Sequence, residues 1–412
     1  MLYLDTSSDV PDREFLEETV EAIAEHGIKI SDTSELLSVL VNERRKYLAE
    51  LNNVYGIANP NSSQQVIAAL KELASKEFPV IAEVCVDERT RKWSSNAEKL
   101  GELKSADVPI AFTLSKYREL NNMVSSINTI NGLKDQYGFV HPDISYGRTG
   151  RINYSNPALM NINKKVLWNI LEPESPDYTI YSVDIKNQEP WILINMLGID
   201  GLVEVINSDR SNSLYDAIYK AWFGYYPDQL ERKEFKTAWN AMTYGASKKL
   251  ILNSCRHNPN ADFLYEKFNS IKELKDYRKE CSSKGFSGYR QCTTLFGTKL
   301  ECDGYRGMAL ARQHMDYTIQ GTGVDILAFL NSNLNDKIEG YGYEELVKPY
   351  LFRHDEIDVA VHKNLFELLG EDGVNDFLTD TFEHQIDDWS PFKVEIARIE
   401  HTKDYASILK DE

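Results

Sequence analysis

The 412-residue chain reads as an α+β protein in which helical blocks alternate with blocks of strands and turns. Three segments carry that reading. In RKEFKTAWNAMTYGAS, Arg232, Lys236, Asn240 and Tyr244 recur at every fourth position, which sets them on one face of a helix. In YTIYSVDIKNQEPWILINMLG, residues 178–198, a β-prone run delivers Asp184 at its end. In YLFRHDEIDVAV, residues 350–361, apolar Ile357, Val359 and Val361 alternate with Asp358 and Ala360. That alternation predicts a half-buried strand, with His354, Asp355 and Glu356 at the turn of a hairpin.

Taken in order, residues 1–30 form a short lead to which no role is assigned, and Asp5 alone makes no catalytic site. Residues 31–128 read as helices; in NPNSSQQVIAAL, Asn61 followed by Gln64 reads as a helix N-cap with its capping-box partner. Residues 129–195 turn to strands and turns, and residues 196–285 are helical and rich in aromatics. Residues 286–412 open on the turn-rich GYRQCTTLFGTKLECDG and close on FKVEIARIEH as a strand. There is no internal repeat and no low-complexity linker.

Composition bounds the function without naming it. With 42% hydrophobic residues and 11% aromatics the chain can bury a large core. No charge-free apolar run approaches the ~18 residues of a membrane span, and no basic-then-apolar leader opens the chain, so membrane and secretory readings fall away. Five cysteines without a close CxxC pair point to a reducing cytoplasm and speak against zinc.

Two aspartates at turns, bracketing a cationic helix, suit one chemistry. Nucleotidyl transfer is an in-line displacement at phosphorus in which charge builds on the attacking, equatorial and leaving oxygens. A pair of divalent ions roughly 4 Å apart stabilises the attacking and leaving oxygens together. Magnesium needs only one or two protein carboxylates beside substrate phosphates, and Asp184 and Asp355 meet that requirement.

These segments, in this order, resemble DNA polymerase family A, the polymerase I group. Asp184 with Glu189 five residues on resembles motif A; Arg232, Lys236 and Tyr244-Gly245 resemble the nucleotide-binding helix of the fingers; His354-Asp355-Glu356 resembles motif C. RTGRINYSNPALMNI, from Arg148, is similar to the TGR segment, and ARQHMDYTIQGTGVDIL, from Ala311, to the helix with an Arg and a Gln eight residues apart. NPNSSQQVIAAL and LSKYRELNNM resemble thumb landmarks, so the likeness runs from about residue 35 to the C-terminus.

The resemblance implies a right-hand architecture with an antiparallel-sheet palm. The lead spans residues 1–30, the thumb 31–128, the first palm segment 129–195, the fingers 196–285 and the second palm segment 286–412. It implies template-directed addition of deoxynucleotides to a primer 3'-OH, with primer-template DNA and dNTP as partners. Two Mg2+ ions are expected, with Mn2+ as a substitute. The chain is expected to be a cytoplasmic monomer of bacterial, phage or mobile-element origin, with a processivity or replisome partner left open. About 30 residues precede the thumb, against the ~150 of a typical domain, so no proofreading is expected.

Roles follow residue by residue from the resemblance. Asp184 and Asp355 hold the metals, the Ile185 carbonyl completes one coordination shell, and Glu356 stands behind them. Arg232 and Lys236 neutralise the triphosphate, and Lys236 protonates the departing pyrophosphate. Tyr244 stacks near the templating base, and Gly245 lets template backbone approach. Arg151, Arg312 and Gln320 probe the minor groove, and His354 touches the primer-terminal phosphate. Glu189 covers the place of a ribose 2'-hydroxyl and so favours deoxynucleotides. Four departures qualify this carry-over. In motif A, Ile185, Asn187, Gln188 and Trp191 replace the usual Tyr, Gln, Ile and Arg, so part of the wall near the incoming nucleotide is rebuilt. Asn240 stands where an aromatic usually faces the sugar. Tyr215 stands where a His is usual, with phosphate binding and core packing equally open. Asp316 replaces an Asn, with Arg312 as a candidate partner.

The net charge of -18 opposes a nucleic-acid enzyme in bulk. Screening confines surface charges to about 10 Å, so the local sign decides. Arg148, Arg151, Arg232, Lys233, Lys236, Arg306 and Arg312 cluster near the candidate residues, while acids collect in segments such as residues 367–388. A primase or single-subunit RNA polymerase is the nearest competing enzyme, but the latter lacks the Glu at position 189. A degenerate polymerase kept as a scaffold is the competing non-enzyme.

Overall fold

In the computed structural model the described residues are 11–87, 90–208, 213–255, 258, 260–383, 389, 392–402 and 405–408. Asp5 and part of the acidic 367–388 segment lie outside them. The chain divides into two compact units, residues 1–29, 141–155 and 172–400 in the larger, and residues 30–140, 156–171 and 401–412 in the smaller.

The smaller unit is built of helices, the longest being Ser34–Tyr55 and Pro109–Leu133. Its core is a continuous aliphatic cluster that includes Leu51, Val66, Leu70, Ile81, Leu103 and Leu114. The expected cap at Asn61 is displaced by one residue. Ser62 is the N-cap of helix Ser63–Lys76 and accepts from the Gln65 N–H, while the Gln65 side chain accepts from the backbone N–H of Asn59. A serine hydroxyl reaches the third helical N–H as well as an amide does, so two adjacent capping residues leave the register open to sequence alone.

The larger unit centres on a four-stranded antiparallel sheet: β1 (Tyr178–Ile185), β2 (Val347–Arg353), β3 (Glu356–His362) and β4 (Val394–Arg398), in the order β4-β1-β3-β2. The closing strand read from FKVEIARIEH is β4. β3 is buried on both faces rather than one, and Asp358 is 0% exposed, lying 3.6 Å from the Arg353 guanidinium. The polar residue in the alternation therefore marks an internal charged contact instead of a solvent face. Helix Lys363–Phe382 seats Leu365, Val374, Leu378 and Phe382 in the interior, and its Phe366 stacks on Tyr181 of β1.

Five helices of this unit matter below: α1 (Arg13–His26), α2 (Gln188–Leu197), α3 (Gln229–Thr243), α4 (Lys272–Ser287) and α5 (Met308–Tyr341). The lead thus contains a helix. α1 starts on Asp12, whose carboxylate caps the Phe15 N–H, and buries Leu16, Val20 and Ala24. Its Arg13 reaches the Asp325 carboxylate at 2.6 Å and the carbonyls of Thr149 and Gly321 at 3.2 and 2.7 Å. One guanidinium therefore ties the 149–151 turn to α5. Gly150 is required there, because it has φ +87° and a Cβ would lie 2.5 Å from the Arg13 guanidinium.

Candidate active site

Two neighbouring strands bring the acids together. Asp184 is the penultimate residue of β1 and pairs with Glu356, the first residue of β3. Asp355 is one residue earlier, in the two-residue turn that joins β2 to β3, and its carbonyl accepts the Ile185 N–H at 3.0 Å. Directly opposed residues in an antiparallel ladder are ~5 Å apart at Cα, so the register brings the turn to the end of β1, and Asp355 lies near enough to Asp184 to feel its charge. Glu356 belongs to the strand instead of the turn. His354 occupies the turn at φ +50°, a left-handed conformation that few non-glycine residues adopt.

The electrostatics follow from that crowding. Burial, and then the charge of Asp184, push the Asp355 carboxyl up to about 6. Two carboxylates forced into one desolvated place are what a divalent cation compensates. Glu356 is already engaged: it is buried and accepts from the Ser182 hydroxyl and the Arg353 guanidinium. That leaves Glu356 as a support for the turn. Arg353 escaped the sequence reading, although it directly precedes His354. Burial, followed by the charges of Arg151 and Arg353, lowers the His354 pKa.

α3 presents the expected cationic face. Arg232, Lys236 and Asn240 are exposed, while Phe235, Ala238, Trp239 and Met242 are buried on the other side. An Asp228–Glu231 capping box fixes its start. Tyr244 is the C-cap, one residue past the helix, and Gly245 follows in a left-handed conformation at φ +78°. Gly245 is thus explained by the helix stop. Arg232 is engaged by both carboxylate oxygens of Asp216 at 2.9 and 3.2 Å, and Lys236 sits 5.8 Å from the centre of the Tyr215 ring. Tyr215 is 2% exposed, packs edge-on to Phe235 and Trp239, and donates its hydroxyl to Asn240 Oδ1 at 3.2 Å. In this arrangement Tyr215 packs in the interior and supports Asn240.

A polar chain joins the remaining candidates. Arg151 donates to Glu189 at 2.6 Å, the Tyr244 hydroxyl donates to the other Glu189 oxygen at 3.4 Å, and Tyr244 also bonds Asp316. Asp316 accepts from Gln320 Nε2 at 2.6 Å. Asp316 therefore partners Gln320 and Tyr244 rather than Arg312, which is exposed on α5. Burial and the nearby Glu189 charge raise the Asp316 pKa, against the opposing pull of Arg151. Three of the seven candidate cations are paired with acids, Arg151 with Glu189, Arg232 with Asp216 and Arg148 with Asp303 at 2.8 Å, while Arg306 is turned to the Phe286 carbonyl at 2.6 Å. The local basic surface is thus closer to neutral than a count of Arg and Lys suggested.

No curated protein sequence matches the chain. Among solved structures, the POL domain of Pol1 from M. smegmatis, in complex with DNA primer-template and dNTP, superimposes with a TM-score of 0.74 at 18% identity, covering 93% of this chain and 68% of that one. At that identity the likeness speaks for the fold. No helix among the described residues is long and apolar enough to cross a membrane. The family model for DNA polymerase family A matches residues 30–396, and the chain belongs to that family of template-directed DNA polymerases.

Proposed function

We propose that this chain extends primer 3'-ends with deoxynucleotides by a two-ion mechanism in which Asp184, Asp355 and the Ile185 carbonyl hold the ions. The supporting observation is the register that sets Asp355 beside Asp184, with the Asp355 carboxyl pushed up to about 6. The hard oxygen donors fit Mg2+, with Mn2+ as a substitute. When bound, such ions supply Lewis-acid stabilisation of the attacking and leaving oxygens.

The chain's own residues do the rest. Arg232 exchanges Asp216 for a triphosphate oxygen, a swap between two anionic partners that costs little. Lys236, exposed one turn further on, takes a second phosphate and delivers a proton to the departing pyrophosphate. Asn240, held by the Tyr215 hydroxyl, meets the sugar through its amide. Glu189, bonded by Arg151 and Tyr244, is held at the 2'-hydroxyl place. Arg151, Arg312 and Gln320 reach minor-groove acceptors, which sit alike in all correct pairs and so report shape. Tyr244 stacks at the template base, and His354 approaches the primer-terminal phosphate. The helices of the smaller unit are assigned to the thumb, and residues 196–285 to the fingers.

One experiment tests the reading: extension of a primed template with either deoxy- or ribonucleotides. Asp184→Asn should slow extension by about 10³-fold or more with primer binding retained, by analogy with losing a main electrostatic stabiliser. Glu189→Ala should improve ribonucleotide use by about 10- to 100-fold, the worth of one steric and polar contact. Full activity in Asp184→Asn would defeat the metal assignment, and unchanged sugar choice would move the gate elsewhere. Strand initiation on bare template from ribonucleotides would favour the primase reading. Degradation of primer ends by the pure chain without nucleotides would contradict extension alone.

A further inference from the structure

The hairpin formed by strands Gln291–Thr293 and Lys299–Glu301 has a small interior. Cys292, Leu300, Cys302 and Leu310 are buried there, with Tyr317 packed against them. So few apolar groups give little stability, and small folds of this kind are commonly stapled. Into this interior the chain puts two thiols and an imidazole that the polymerase chemistry does not use. Cys292, Cys302 and His314 are 6%, 2% and 2% exposed. The sulfurs are 3.7 Å apart, and a ring nitrogen of His314 lies within 4.8 Å of both.

The His314 ring is already oriented. Nε2 meets the Tyr289 carbonyl oxygen at 2.7 Å, so it carries the proton and Nδ1 keeps its lone pair. Nδ1 is buried without a hydrogen-bond partner. Leaving such an acceptor unsatisfied costs about 1–3 kcal/mol. A metal-binding imidazole is commonly held in just this way, with one nitrogen on a backbone carbonyl and the other on the ion. The sulfur spacing agrees as well, since a tetrahedron with Zn–S bonds of about 2.3 Å has an S···S edge of about 3.8 Å. Cys281 lines the same cavity of about 250 Å³ as Cys292 and His314, and is close enough to the Cys292 sulfur to act on its charge. The Tyr277 hydroxyl bonds Cys281 from behind.

We infer that Cys292, Cys302 and His314 bind a structural Zn2+ ion, with Cys281, which lines the same cavity but whose sulfur stands outside the 4.8 Å cluster, moving in as the fourth ligand of a Cys3His set. Binding releases the three thiol protons to solvent and takes up neutral imidazole, with no change of oxidation state. Thiolates select zinc and reject the Mg2+ that the carboxylate site takes, so the two sites do not compete. The ion joins α4, the hairpin and α5, and His314 lies between Arg312 and Gln320 on α5. The staple would thus set the position of both residues. Sequence spacing hides the site: the ligands are separated by ten, nine and eleven residues, with no CxxC.

The test uses the full chain, free of any metal-binding tag, produced with added zinc and dialysed into Mg2+ buffer. About one zinc per chain should survive, and a zinc chelator should lower the melting temperature. Replacement by Co2+ should give the thiolate charge-transfer and intense visible bands of a tetrahedral sulfur site. Cys292→Ser and His314→Ala should each reduce bound zinc at least tenfold, while Cys85→Ser and Cys255→Ser should not. Wild-type protein that takes up no zinc from added ZnCl2, a Cys292–Cys302 disulfide in peptide maps, or zinc retained in both site variants would overturn the proposal. If the variants do not fold, the chelator and cobalt measurements on the wild type decide.

Discussion

The acids of the sheet and the cations of α3, assigned to one reaction by the proposal above, are held by opposite means. Asp184 and Asp355 are placed by backbone: a ladder register, a two-residue turn and the Ile185–Asp355 hydrogen bond leave their carboxylates little choice of position. Arg232 and Lys236 are placed by side chains alone, exposed on a helix surface, with Arg232 on a displaceable partner, Asp216. The difference teaches where each part does its work. Groups that must meet repelling charge are pre-positioned at a cost, whereas groups that must capture a diffusing polyanion stay mobile and lightly paired.

The sharpest way to break the rigid half lies far from the acids in sequence. Arg13→Ala removes the partner of Asp325, a carboxylate that is 0% exposed and otherwise bonded by Thr298. Stranding a buried charge should cost about 3–5 kcal/mol, read from the urea midpoint, and should loosen the 149–151 turn. A midpoint unchanged from wild type would show that α1 is an appendage.

The mobile half should respond in binding. Lys236→Ala should lower the single-turnover extension rate by about 10²-fold, typical of one lost charge-assisted contact in a transition state. Melting temperature should hardly move, since the side chain is exposed. A large loss of stability with normal extension would reverse the comparison.

The smallest effect concerns the strain between the acids. Because the folded Asp355 carboxyl is raised from 3.8 to about 6, its protonation favours the folded state. That contribution is complete below about pH 4 and gone above about pH 6. Asp355→Asn, neutral throughout, should therefore be more stable than wild type in chelator at pH 8, with the gain fading towards pH 4. Divalent cations should erase the gain at pH 8. Thermal unfolding across this range checks it, and an Asn variant no more stable than wild type at pH 8 would mean that the carboxylates do not strain the fold.

Much of the site could be read from sequence because it is written in short-range patterns. A fourfold spacing puts Arg232, Lys236 and Asn240 on a helix face, and a β-prone run ending in Asp184 forms a strand, since both periodicities are set by local geometry. Burial was read less well. The alternation in β3 was right about the strand and wrong about its second face, because what covers a strand is decided by distant segments.

What the amino-acid order determined by itself is therefore the elements that carry the motifs, their order along the chain and the family they mark, while α1 in the lead and α2 at the end of the stretch read as strands were not legible. What only the tertiary structure decided is partnership: Asp316 with Gln320 rather than Arg312, Tyr215 with Asn240, Arg13 with Asp325 across 312 positions, and Cys292 and Cys302 with His314. The physical reason is that local propensity is an energy of near neighbours. The choice of a buried polar partner depends on which distant groups the packed core brings within about 3 Å.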